Sequence, residues 1–298
     1  MKTPLILDFD GSVLTLMEGE IRLPLADWQE TVRYGCTRRQ FARLERRLAE
    51  LLPVDYGCAF TGSGDYHHVS LLLIENLARR AKLAPASLDL LVCDNHPDNM
   101  RYPFGLHCGS WVRAACGLEC VRRVRVVGIT SADIAAPHAW ENYLGPFLSK
   151  KLTYWSIGRP AGWLRLLGRG EYARNFADPA ELLAALLPEL HGAENIYLSL
   201  DKDVFGPEYV STDWDQGVFT PEAMRLLIQG CAGKILGADI TGETSAPHAY
   251  AGRFKKILSR LDGRRNGPEP EELPALQAVQ RDLNLELFRL IEANRKLI

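Results

Sequence analysis

The stretch Leu88-Asp89-Leu90-Leu91-Val92-Cys93 runs directly into Asp94-Asn95-His96-Pro97-Asp98. Its first part is short and mostly apolar, the pattern of a buried strand. Side chains along a strand alternate with a period of two, so Asp94, His96 and Asp98 can leave its end toward one point. Oxygen and imidazole donors together suit a hard or borderline divalent ion such as Mn, Zn, Fe or Ni. A polar turn closing a strand explains the same five residues, so the motif decides nothing alone. A second stretch weighs against that plain reading. Asn195-Ile196-Tyr197-Leu198-Ser199-Leu200 is another short apolar run, and it ends in Asp201-Lys202-Asp203. Buried carboxylates without partners are costly, and a pair of metal ions offsets that cost.

Outward from these two strand ends the chain alternates. Apolar runs predict strands at 4–8, 57–61, 121–130, 152–157 and 234–240. Helical spacing predicts helices at 37–52, from the Gly62 turn to about 82, at 179–187, from Thr220 onward, and at about 248–261. Strands alternating with helices imply an α/β fold, a mainly parallel sheet covered on both sides in three αβα layers. Residues 263–274 are polar and rich in Gly and Pro. Beyond them, Leu276, Val279, Leu283, Leu287 and Ile291 form the apolar stripe of one long helix. The chain thus divides into a body, 1–262, and a linker with an amphipathic helix, 263–298. That helix must pack on the body or on a partner subunit of a homo-oligomer.

Composition bounds the function. With 298 residues, 47% hydrophobic and 24% charged, the chain reads as a soluble globular protein, and a formal net charge of −2 gives no case for nucleic-acid binding. No apolar run reaches the roughly 18 residues that a membrane span needs. Met1-Lys2-Thr3-Pro4 leads into a strand without the layout of a secretory signal, and seven cysteines lack a repeating spacing. Buried thiols in a reducing cytoplasm are the expected reading.

Three further features carry chemistry. Gly62-Ser63-Gly64-Asp65-Tyr66-His67-His68 is a glycine-rich turn between a strand and a helix, a common place for function in open α/β sheets. His107 lies in a loop, with Gly105 and Gly109 on either side. Asp8-Phe9-Asp10-Gly11-Ser12-Val13-Leu14 follows the first strand and resembles the first motif of haloacid-dehalogenase-type phosphatases. On that rival reading Asp8 is the nucleophile, Asp10 the acid/base and Thr130 a strand-end partner.

Taken in order, Gly62-Ser63-Gly64-Asp65-Tyr66-His67, Asp94-Asn95-His96-Pro97-Asp98 and Ser199-Leu200-Asp201-Lys202-Asp203 resemble the motifs of the ureohydrolase (arginase/agmatinase) family of the arginase–deacetylase superfamily. The resemblance covers about residues 55–245. It implies an arginase-like three-layer fold, two divalent ions (Mn2+ in that family) and hydrolysis of a linear C–N bond in a small guanidino or amide compound by a hydroxide shared between the ions. One ion would be held by His67, Asp94, Asp98 and Asp201, the other by His96, Asp94, Asp201 and Asp203. His107 would shuttle protons at the mouth of the site, and Asp98 would take part in proton transfer. The chain departs from the family in three places. Tyr66 is inserted before the histidine, and His68 follows it as in the His-His pair of the deacetylase branch, so either His67 or His68 can be the ligand and His68 a catalytic group. Asp213-Trp214-Asp215-Gln216-Gly217 replaces the usual Gly-Thr-rich segment. Gly242 stands where a guanidinium-binding Glu is expected, with Glu243 one place later. Glu243 and Asp215 are the candidate substrate contacts. A degenerate scaffold of this fold, binding metal without turnover, is the non-enzymatic alternative.

Overall fold

Strand direction positions everything that follows. The computed structural model describes residues 1–248, 250, 255–257 and 268–296. Among them the strands are β1 (Leu5–Asp8), β2 (Ile21–Pro24), β3 (Gly35–Cys36), β4 (Ala59–Phe60), β5 (Leu88–Cys93), β6 (Leu106–His107), β7 (Val121–Ile129), β8 (Leu152–Ile157), β9 (Ala173–Phe176), β10 (Ile196–Asp201) and β11 (Ile235–Thr241). Nine of them form one sheet in the order β2-β1-β4-β11-β10-β5-β7-β8-β9. Every pairing in it is parallel. The carboxyl ends therefore share one edge, with β10 between β5 and β11 near the middle.

Period-two alternation divides each strand between two cores. Leu5, Leu7, Leu88, Leu90 and Val92 join one core with Phe41, Leu44 and Leu48 of helix Arg38–Leu51 and with helices Ser70–Arg80 and Trp111–Cys116. Ile6, Leu91 and Cys93 join the other, with helices Pro179–Leu190, Pro221–Gly230 and Leu273–Ala293. Helix, sheet and helix make the three layers. This is the expected architecture, long C-terminal helix included. Leu283, Leu287, Phe288 and Ile291 of that helix lie in the second core, against the body of the chain.

Local chemistry sets the boundaries. Helix Arg38–Leu51 begins at a reciprocal cap between Thr37 and Gln40. The turn after β4 is a 3-10 turn, Gly64–Val69, and α-helix starts only at Ser70. His67 and His68 therefore sit before the helix rather than on it. β2 and β9 were not expected from the sequence. They are the two sheet edges, four residues each and partly exposed, so no apolar run announces them. The helix expected at about 248–261 lies mostly outside the described residues, as does much of the polar 263–274 stretch. All seven cysteines are buried. Among the described residues no helix is long and apolar enough to cross a membrane.

Candidate metal centre

β5 and β10 are neighbours, so the two acid-bearing strand ends meet at the carboxyl edge. The 3-10 turn after β4 adds His67. Its Nδ1 lies 3.0 Å from Asp94 Oδ2, 2.9 Å from Asp98 Oδ2 and 3.6 Å from Asp201 Oδ2. Its Nε2 faces Ser199 Oγ at 3.0 Å, and that hydroxyl donates to Asp239 Oδ1 at 2.8 Å. With its proton committed to Asp239, Ser199 accepts from His67 Nε2–H, so that Nδ1, which faces the acids, is the nitrogen free to serve an ion. Asp239 is itself held by Ser70 Oγ and the Tyr197 hydroxyl. Trp111 Nε1 donates to Asp98 Oδ2 at 2.6 Å. Asp98 has φ +47°, a left-handed conformation that Asp tolerates better than most residues. We call this the inner half.

The outer half is built on His96. Its Nδ1 lies 2.8 Å from Asp203 Oδ2 and 3.5 Å from Asp94 Oδ1, and its Nε2 lies 2.7 Å from Asp215 Oδ1. Asp94 thus serves both halves. His67, Asp94 and Asp98 offer donor atoms close enough for one ion, and Asp94, His96 and Asp203 for another. Asp201 stands between Gly64 and Gly242, its Oδ1 accepting from Asp203 N–H at 3.0 Å. Gly242 has φ +88°, and a Cβ there would collide with Asp201 Oδ1 and stand 2.7 Å from Lys202 N. Glycine at this position makes room for Asp201.

The electrostatics fit divalent cations. Asp94, Asp98, Asp201 and Asp203 are all buried. Burial, then the charges of Asp203 and Asp94, raises Asp201 well above the usual carboxylate range. Burial and Asp94 push Asp203 up to about 7, and burial raises Asp98 despite its histidine neighbours. Burial opposes charge on His67 and His96, but the adjoining carboxylates outweigh it and raise both. Crowded acids that resist ionisation, with one imidazole nitrogen in each half, form a donor set that suits hard or borderline divalent ions.

A cleft of about 630 Å³ opens over the centre, walled in part by Tyr34, Tyr102, Phe104, Trp140 and Trp214. His107 lines it, stacked on Tyr102 and edge-on to Tyr34. Gly109 N–H donates to His107 Nδ1 at 3.0 Å, so the neutral ring carries its proton on Nε2. Asp215 also lines the cleft; burial works against its charge, but the hydrogen bond and charge of His96 together with backbone and Asn95 hydrogen bonds lower it to about 2. A groove of similar size, lined by Phe41, Arg113 and Lys151 among others, includes none of these residues.

Two expected site residues lie elsewhere. His68 does not line the cleft; it is buried near the Phe41 ring, and neither ring nitrogen has a hydrogen-bond partner among the described residues. Burial, aided by nearby His107, Lys255 and His67, pushes it down to about 3, so it stays neutral near pH 7. Glu243 is buried beside Lys202, 2.6 Å from Nζ, and accepts from Asn284 Nδ2 at 2.6 Å. Its carboxylate faces the C-terminal helix instead of the cleft. The phosphatase constellation does not assemble. Asp8 pairs with Arg22, buried Asp10 accepts from Ser12 with Arg33 nearby, and Thr130 bonds Asn95. Four strands separate β1 from β7, roughly 24 Å at about 4.8 Å per step. The sequence assigns no supporting role to Ser199, Asp239, Trp111 or Asn95. Only Ser199 carried a local signal, two residues before Asp201 and hence on the same strand face.

No family model matches the chain. A relative described as an uncharacterized protein of Thermotoga maritima is 28% identical over 244 residues, 80% of this chain and 78% of that one. Among solved structures, the agmatine ureohydrolase of Thermoplasma volcanium superposes with a TM-score of 0.53 at 14% identity, over 98% of this chain and 89% of that one. A Trypanosoma cruzi formiminoglutamase variant with Mn2+ gives 0.51 at 14% identity, over 89% of this chain and 74% of that one. At such identities the likeness is one of fold. The chain has the three-layer αβα fold of the arginase-like ureohydrolases, in a divergent form.

Proposed function

We propose that the chain is a metal-dependent hydrolase that cleaves a linear C–N bond in a small guanidino or amide compound. The observation that carries this reading is the pair of His/Asp clusters sharing Asp94 at the carboxyl edge of β5 and β10. The inner ion would be held by His67, Asp94, Asp98 and Asp201, the outer by His96, Asp94, Asp201 and Asp203. Manganese is the first choice, given the Mn2+ of the formiminoglutamase variant. Two such ions, when bound, acidify a shared water and polarise the group under attack.

The chain's own residues do the rest. Asp98 is fixed by Trp111 and stands where it can hold a proton beside the reacting group. The neutral His107 ring can offer Nε2–H as a hydrogen bond to the departing nitrogen, and it acts as a proton shuttle only after taking up a second proton. The aromatic walls exclude water and favour a substrate with an apolar or planar face. Water adds to the sp² carbon, Asp98 would take the proton that the water gives up, and that proton passes to the nitrogen as the C–N bond breaks and the amine leaves.

The test is elemental analysis of protein prepared without chelator and reloaded with manganese. It is followed by a screen of guanidino and N-acyl amine compounds for released urea, ammonia or amine. About two ions per chain and turnover of one compound class are expected. No bound ion after reloading overturns the reading. The position of Glu243 favours a second one, a metal-binding scaffold without turnover, because the residue expected to grip a guanidinium is engaged by Lys202 and Asn284. Full metal occupancy with no turnover across the screen would select it.

A further inference from the structure

Building on that metal-dependent reading, we propose that Asp215 is the positioning residue of the outer ion, acting through His96. A carboxylate only accepts, and His96 rests on one at each ring nitrogen: Nε2 lies 2.7 Å from Asp215 Oδ1 and Nδ1 2.8 Å from Asp203 Oδ2. An ion held by Asp203, Asp94 and His96 would take the place of the Nδ1 proton, and Asp215 would keep the remaining proton on Nε2, so that Nδ1 offers its lone pair to the ion. Asp215 is in turn aimed by Asn95. The Asn95 Nδ2 donates to the Asp215 carbonyl at 3.0 Å and to its Oδ2 at 3.1 Å. The Asn95 Oδ1 accepts from Thr130 N–H and Oγ1–H, so the amide cannot flip without losing both sets of bonds. The loop that carries Asp215 is pinned by Gly217 N–H to the Asp203 carbonyl and by the Gln216 amide to the carbonyls of Phe205 and Val210. The ends of β5 and β7 and the loop after β10 thus converge on one carboxylate. Nothing comparable joins Asp215 to His67, whose far nitrogen faces Ser199. Asp215 therefore governs one ion of the pair and not the other.

The test is a calorimetric Mn2+ titration of the full chain, with electron paramagnetic resonance at each occupancy. The wild type is expected to take two ions and give the spectrum of a coupled pair. In Asp215→Ala one ion should bind about 10–100-fold more weakly and the other unchanged, with a single-ion spectrum at limiting Mn2+. Asp215→Asn, which keeps the shape but not the charge, should fall between, and it carries the test should the alanine variant fail to fold. Wild-type affinity for both ions in the folded variants overturns the role of Asp215 alone, as does equal weakening of both. A wild type that takes up no ion overturns the metal-dependent reading and this inference together.

Discussion

The inner and outer halves of the centre use the same chemistry at different depths. His67 is almost wholly buried, and its far nitrogen reaches Asp239 of β11 through Ser199 of β10. His96 is more open, and its far nitrogen rests on a loop carboxylate whose side chain is 57% exposed. Each histidine has a partner for its far nitrogen. The inner partner belongs to the sheet and cannot move without it, whereas the outer one lies on the wall of the cleft, open to solvent. The inner ligand is held by the fold and the outer by a loop, so stability and ion binding should be coupled in one half and separable in the other.

The strongest test of that contrast is Asp94→Ala, since Asp94 is common to both His/Asp clusters. Manganese retained after desalting should fall from about two ions per chain to none, and hydrolysis should vanish with it. A variant that kept one ion would show that the halves do not share this ligand. Next in size is Gly242→Ala, which should cost about 1–3 kcal/mol in denaturant unfolding, because the backbone is left-handed and Asp201 has no room to retreat. Ser199→Ala should leave His67 Nε2 and an Asp239 oxygen short of a partner, lowering stability by about 1–3 kcal/mol and weakening only the inner ion. Asp215→Ala should cost less, about 0.5–1 kcal/mol, because water can take over the contacts of so exposed a side chain. Equal losses of stability in these two variants would erase the distinction between the halves.

The smallest effect concerns pH. In the metal-free chain Asp98, Asp201 and Asp203 are raised, the last to about 7, and so are His67 and His96. Groups raised in this way hold more protons in the folded chain than in the unfolded one, so stability falls as pH rises. The Asp203 contribution is lost between about 3.8 and about 7, those of Asp98 and Asp201 as pH rises above about 3.8 through their raised values, and the histidine contribution as pH climbs through their raised values above about 6.5. The melting temperature of the metal-free protein should therefore drop from about pH 5 to about pH 8. Saturating Mn2+ should flatten or reverse that slope, because the ions displace those protons.

Much of this was legible in the sequence for one reason: strand ends write their chemistry in local spacing. Period-two acids after two apolar runs located Asp94, His96, Asp98, Asp201 and Asp203, and alternation gave the layered fold. Local spacing failed wherever direction mattered. In a 3-10 turn successive residues point about 120° apart, so one histidine of an adjacent pair meets the acids while the other turns toward Phe41. Glu243 follows Gly242 at the end of β11, and the next backbone step aims it toward Lys202. Ser199, Asp239 and Ser70 meet only through the fold, from three separate segments.

Lys202 sits between two of the proposed ligands, yet its ammonium points away from them, wholly buried among Glu243, Gln280 and Asn284. Two of these partners belong to the C-terminal helix. Docking of that helix and loading of the centre are then reciprocal: whatever free energy one lends the other must be returned in equal measure. Chelation should speed amide hydrogen exchange along 273–293. A chain ended before that helix would strand a buried cation and bind its ions more weakly by the same factor.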